Sequence, residues 1–219
     1  MELLVFGHGG APYVVFPSSM GAFFEYEDSG MVAALHDKLH HGGLQLFCVS
    51  SVDRESWYNR GAHPRHRVER ALAYEQYLLN DVVPLIRHRN PNGIGVTGCS
   101  FGGYHAMTFA LRYPDVVMAC VVISGAYGIH SLLDGYYDSD CYFLSPPDFM
   151  PGLNDLWYLD RYRHRKWVLA TGEHDICLRD NERMSDLLTA KGVSHSLHVW
   201  QGMWHDWPWW HKMAQAYLP

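Results

Sequence analysis

The sequence predicts an α/β fold: a mostly parallel central sheet with helices on both faces and an antiparallel N-terminal hairpin. Short β-branched runs alternate with stretches of helical periodicity, and Gly, Pro and Asp punctuate their boundaries. In addition, Gly98-Cys99-Ser100-Phe101-Gly102-Gly103 joins a strand directly to a helix. At 219 residues the chain suits one domain, residues 1–219. Apolar residues make up 48% and charged residues 18%, which excludes a disordered chain or a coiled coil.

Each element follows from local pattern. Residues 3–6 and 13–16 are strand-like and flank His8-Gly9-Gly10-Ala11-Pro12, a turn-rich stretch that reads as the hairpin connection. A helix over 30–41 ends at Gly42-Gly43, and 44–49 is a buried strand. Pro64 opens a helix in which Val68, Leu72, Leu79, Val83 and Ile86 share one side through about Arg87, with Pro84 kinking its last turn. Strand 94–97, helix 101–112 and strand 116–123 follow, with Tyr113-Pro114-Asp115 as the stop between the last two. Periodicity fails over 125–165, where Gly, Pro, Asp and aromatics accumulate; this is expected to be a loop-rich insert or small lid. Strand 166–171, helix 181–191, strand 196–200 and a closing helix 207–218 complete the chain.

Charge and cysteine usage narrow the function classes. With 23 acidic residues against 17 Lys plus Arg, no broad cationic surface exists to neutralise phosphates, so nucleic acid is not an expected partner. Five scattered cysteines without a CxxC pair read as reduced thiols. No stretch approaches the roughly 18 apolar residues of a membrane span, and Met1-Glu2-Leu3-Leu4-Val5-Phe6 lacks a leader's charged start and long apolar core. The expectation is a cytoplasmic protein with no membrane contact; oligomeric state is left open.

The sharpest chemical signal is the G-x-S-x-G at residues 98–102. A serine on so tight a strand-to-helix turn presents its hydroxyl at the end of the sheet, and Gly98 and Gly102 leave room for the close helix approach. Ser100 is therefore the candidate nucleophile. A base must take its proton and a carboxylate must orient that base, and after such an elbow they follow in the order acid, then histidine. Asp175, in Gly172-Glu173-His174-Asp175, lies just past strand 166–171 and is preferred to Glu173, which leaves the strand sooner. Of fifteen histidines, His205 alone lies in the loop between the last strand and the last helix. The negative charge that builds on a tetrahedral intermediate requires backbone donors, and the first is the N–H of Phe101.

Three lookalikes are set aside. His8-Gly9-Gly10 imitates an oxyanion motif but precedes a strand instead of following one. Gly93-Ile94-Gly95-Val96-Thr97-Gly98 fits a dinucleotide fingerprint, yet its middle residues are themselves the strand. Asp134, Asp138 and Asp140 lack the ligand spacing of a calcium loop and read as solvated loop acids. In the aromatic cluster Trp204, Trp207, Trp209 and Trp210, packing of the closing helix explains most of the side chains, with Trp204 and Trp207 as candidate pocket residues.

Asn80-Asp81-Val82-Val83-Pro84, residues 98–103, Tyr113-Pro114, Ser124-Gly125, residues 172–175 and residues 202–207 together resemble the esterase group of α/β-hydrolases. That group includes feruloyl esterases, S-formylglutathione hydrolase, enterochelin esterases and mycolyltransferases. The resemblance covers most of the chain. It implies a catalytic triad of Ser100, Asp175 and His205 acting on a small-molecule ester without metal or organic cofactor. It also implies a second oxyanion donor in the loop after strand 13–16, at Ser19 with Ser18 next, although Pro17-Ser18 departs from the group's usual Asp-Gly or His-Gly lead-in. The expected reaction is hydrolysis of a small or medium acyl ester through an acyl-enzyme. The alternatives are acyl transfer to an alcohol acceptor and a catalytically silent member used for binding.

Overall fold

The computed structural model describes residues 1–219 in full. Its strands are β1 (Leu3–Phe6), β2 (Ala11–Phe16), β3 (Leu44–Val49), β4 (Ile94–Cys99), β5 (Val117–Ile123), β6 (Lys166–Gly172) and β7 (Ser196–Trp200). They form one sheet in the order β1-β3-β2-β4-β5-β6-β7, in which every pairing except β1 with β3 is parallel. Helices cover both faces, so β3 and β4 are buried at every residue and read as near-continuous apolar runs.

The N-terminal strands do not form the expected hairpin. β1 is antiparallel, but it pairs with β3, Leu3 opposite Val49 and Phe6 opposite Leu46, while β2 lies on the other side of β3. The link between β1 and β2 crosses the start of β3. Gly10 (φ +81) sits so close there that a Cβ would come within 2.2 Å of the Gly43 carbonyl carbon. A strand contributed from further along the chain separates two segments that local turn chemistry alone would pair.

On one face, α4 (Pro64–Tyr77), α5 (Val83–Arg89), α6 (Phe101–Arg112) and α10 (Leu178–Ala190) bury Tyr74, Ile86, Met107, Leu111 and Met184 against the sheet. On the other, α1 (Glu25–Asp28), α2 (Met31–Ala34), α3 (His36–His40) and α11 (Trp207–Tyr217) bury Tyr26, Met31, Leu35 and Met213. The helix expected over 30–41 is thus broken into short pieces: Gly30 enters α2 with φ +83, and Leu35 steps out of helical geometry between α2 and α3. The kink expected at Pro84 is a π-helical turn over Leu78–Val82, which widens the backbone where the proline ring would otherwise strike the Asn80 carbonyl.

Residues 125–165 carry a 3-10 turn (His130–Leu132) and three short helices, α7 (Ser139–Phe143), α8 (Pro146–Gly152) and α9 (Leu156–Arg163). Arginines of α4 and the loop before it pin this segment. Arg65 meets Asp138 and Asp140 at 2.7 and 2.6 Å, and Asp134 takes Arg67 at 2.7 Å and Arg60 at 2.6 Å. The three acids read as solvated from sequence are therefore ion-paired. No helix is long and apolar enough to cross a membrane.

Candidate active site

The site forms at the carboxyl ends of β4, β6 and β7. Between β4 and α6, Ser100 adopts φ +57 and ψ −123, a conformation that costs a non-glycine residue about 1–3 kcal/mol. The turn is held from both sides: Ser100 N–H donates to Ile123 O at 3.0 Å, and its carbonyl accepts from Gly103 and Ala126 N–H. The neighbouring glycines are required sterically. A Cβ at Gly98 would meet Gly102 O at 2.3 Å, and one at Gly102 would meet the Phe16 and Pro17 oxygens at 2.5 Å.

The structure brings Ser100, His205 and Asp175 together. His205 Nε2 lies 2.9 Å from Ser100 Oγ, and His205 Nδ1 lies 2.8 Å from Asp175 Oδ1. Because a carboxylate only accepts, Nδ1 carries the hydrogen and Nε2 is left as the acceptor for the serine hydroxyl. The imidazole is 18% exposed while the Asp175 side chain is fully covered, so the ring meets solvent and the carboxylate is shielded from it. The loops bearing them are joined by the His174 N–H to Met203 O bond at 2.9 Å. Glu173, the rejected acid, accepts from Gly202 N–H at 3.0 Å and takes no part in the cluster.

Two side chains that sequence reasoning did not select complete the surroundings of Asp175. Ser124, at the end of β5 with φ +52, donates its hydroxyl to Asp175 Oδ2 at 2.5 Å and accepts from Trp210 Nε1 at 2.9 Å. Trp210 also packs its ring edge-on against His205, centroids 4.8 Å apart. Asp175 Oδ1 further accepts from Cys177 N–H at 2.7 Å. Burial raises the Asp175 carboxyl, but the hydrogen bonds from His205, Ser124 and Cys177 outweigh it and leave its pKa below the ordinary carboxylate value. The only available signal was Ser124-Gly125; nothing local linked it to a residue 51 positions on.

Within residues 18–21, just after β2, one backbone donor is free. Ser18 N–H and Oγ both donate to Glu25, at 2.7 and 2.6 Å, so Ser18 has no N–H to spare. Met20 N–H donates to Asp53 and Gly21 N–H to Ser18 O. Ser19 N–H meets no acceptor in the protein, and its hydroxyl lies 3.0 Å from Tyr58 OH. Phe101 N–H is the first of α6 and has no partner within the helix.

Of the expected pocket residues, Trp204 is 60% exposed beside His205 and leans on His174, ring centroids 4.9 Å apart. Trp207 is instead packed edge-on between Tyr26 and Trp210. Asp175, Cys177 and His205 are the one group whose metal-ligating atoms lie within 4.8 Å of one another, but both Asp175 oxygens and His205 Nδ1 are already committed to the hydrogen bonds above. Gly93 to Gly98 largely falls within β4, as expected of an accidental match.

The family model described as "Putative esterase" matches residues 23–217. Among solved structures, a ferulic acid esterase superposes with a TM-score of 0.74 at 17% identity, over 96% of this chain and 84% of the other. An S-formylglutathione hydrolase from Agrobacterium tumefaciens gives 0.69 at 15% identity, over 98% and 86%. MPT51 of Mycobacterium tuberculosis gives 0.65 at 12% identity, over 97% and 88%. At such identities the likeness establishes the fold, that of the α/β-hydrolases. No curated protein matches the sequence.

Proposed function

This chain belongs to the putative esterase family and is an esterase, and from that premise we propose that it cleaves carboxylic esters by two-step acyl transfer to Ser100. The observation that carries the reading is the 2.9 Å approach of His205 Nε2 to Ser100 Oγ, with Asp175 holding the far side of the ring. Ser100 Oγ attacks the ester carbonyl while its proton passes to Nε2, and Asp175 stabilises the resulting imidazolium. The oxyanion is taken by Phe101 N–H and Ser19 N–H, neither of which has an acceptor within the protein. Ser18, whose N–H is held by Glu25, is not one of them. As the intermediate collapses, the departing alkoxide takes the proton from Nε2, leaving the acyl group on Ser100. Water then gives a proton to the same nitrogen and attacks the acyl carbon; as that intermediate collapses, Nε2 returns the proton to Ser100 Oγ and the acid departs.

Substrates of small or medium acyl size fit the surroundings. None of the fold's main cavities is lined by Ser100, Asp175 or His205, which favours an open site over a deep acyl tunnel. Met20, Ile176 and Trp204, the sequence neighbours of Ser19, Asp175 and His205, are exposed.

A fluorophosphonate probe and a series of p-nitrophenyl esters test the reading. The wild type should label and should turn over short esters faster than long ones. Ser100→Ala should abolish both activities while leaving the circular dichroism unchanged. Labelling that survives in Ser100→Ala would overturn the assignment of the nucleophile, and a preference for long chains would overturn the substrate size. Product analysis with an added alcohol separates hydrolysis from acyl transfer.

A further inference from the structure

A second acid and histidine pair lies buried beneath the site and takes no part in the proton transfers described above. Asp53 is fully buried, and its Oδ1 lies 2.8 Å from Nε2 of His105, a residue on the nucleophile helix α6. Its other oxygen, Oδ2, accepts the Met20 N–H at 2.9 Å. Met20 holds φ +58, a left-handed conformation that a side chain resists, so something must keep it there. The His105 ring is boxed by Phe16, stacked at 5.9 Å, and by the edges of Phe101 and Tyr74 at 5.1 and 5.9 Å.

We propose that the Asp53–His105 pair is a positioning clamp that sets Ser19 N–H against Phe101 N–H and so fixes the width of the oxyanion hole. The proposal rests on the reading of Ser19 as an oxyanion donor. His105 touches the ring of Phe101, whose backbone supplies one donor. Through Asp53 the same imidazole holds Met20, the neighbour of the residue that supplies the other. The Ser19 N–H is left unbonded between two anchored neighbours, with Ser18 N–H tied to Glu25 and Met20 N–H tied to Asp53. This arrangement frees one donor and immobilises it, as preorganised stabilisation of a developing charge requires.

The test is a double-mutant cycle on kcat and KM. Asp53→Asn places an amide between two N–H donors and can accept from only one of them. Its kcat should fall about 100-fold, the order expected when an oxyanion donor is lost, with KM within threefold of wild type. Ser19→Pro deletes the N–H and should show a similar loss, whereas Ser19→Ala keeps the N–H and should lose at least tenfold less. In the Ser19→Pro background, Asp53→Asn should cost little further, because the donor it positions is already gone; a clamp that merely stabilised the fold would lower both backgrounds alike. His105→Gln retains an N–H for Asp53 and should lose at least tenfold less than His105→Phe, which fills the aromatic box without a donor and should resemble Asp53→Asn. The His105 pair also provides the comparison if Asp53→Asn does not fold. A folded Asp53→Asn with kcat within threefold of wild type, or one equally damaging with and without the Ser19 N–H, overturns the clamp. Full activity in Ser19→Pro overturns the donor assignment on which it rests.

Discussion

Asp175 is held by donors from three stretches of chain: His205, Ser124 and the Cys177 backbone. Ser124 is the one that a single substitution removes without touching the proton path. Ser124→Ala deletes a hydrogen bond to a buried carboxylate and leaves the Trp210 N–H without its acceptor, a loss of about 2 kcal/mol. For a chain of this size that corresponds to a fall of about 4–8 °C in Tm, measurable by calorimetry. Turnover should fall about tenfold with KM unchanged, because the orienting carboxylate is loosened but still present. The contrast between these residues explains what sequence reading reached. Ser100, Asp175 and His205 each sit in a short local pattern at the end of a strand, and their order along the chain is constrained by the fold. Ser124, Trp210, Asp53 and His105 have no such pattern: each acquires its partner only when distant elements pack.

At the scale of elements, the segment over 125–165 is fastened to α4 and its approach by arginine–aspartate contacts and to itself by Asp148. The pKa values of Asp134 and Asp138 lie below the ordinary aspartate value, chiefly through the hydrogen bonds from Arg67 and Tyr136 respectively. Asp148 also ends lower: burial raises it, but Tyr137, Ser145 and His130 more than compensate. Acids depressed in the folded state contribute stability that is present above the unfolded value of about 3.9 and is lost as pH falls through the lower folded values. Asp175 follows the same sign. Protection factors for hydrogen exchange in α7 and α8 are therefore expected to fall below about pH 4, and Arg65→Ala should produce part of that loosening at neutral pH. Unchanged protection of these helices in both conditions would show that apolar packing alone holds the segment. The hairpin misreading belongs to this scale as well. The link from Gly7 to Gly10 has turn composition, but which strand pairs with β1 is decided by β3, nearly forty residues away. In the same way, a single left-handed residue at Gly30 and an irregular Leu35 divide a stretch whose periodicity reads as one helix.

For the molecule as a whole, the alternation of strands and helices was legible because parallel strands covered on both faces must be apolar throughout. The reduced state of the cysteines has a related basis. Cys48, Cys99, Cys120, Cys141 and Cys177 are all unpaired and buried. Burial raises all five thiols, Cys99 and Cys177 to about 12 and Cys141 to about 11. Since the thiolate is the reactive form, the native protein should resist alkylation at pH 8 and take up five equivalents once unfolded, as counted by mass spectrometry. Rapid labelling of Cys177 in the native state would show that the acid loop opens.

The chain order of the site bears on how the protein is made. Ser100 Oγ and His205 Nε2, in contact in space, are 105 residues apart along the chain. On the ribosome, a nascent chain would complete its nucleophilic turn long before the imidazole left the exit tunnel. On the proposed mechanism the hydroxyl stays dormant until β7 and α11 have folded and the loop between them lies over it.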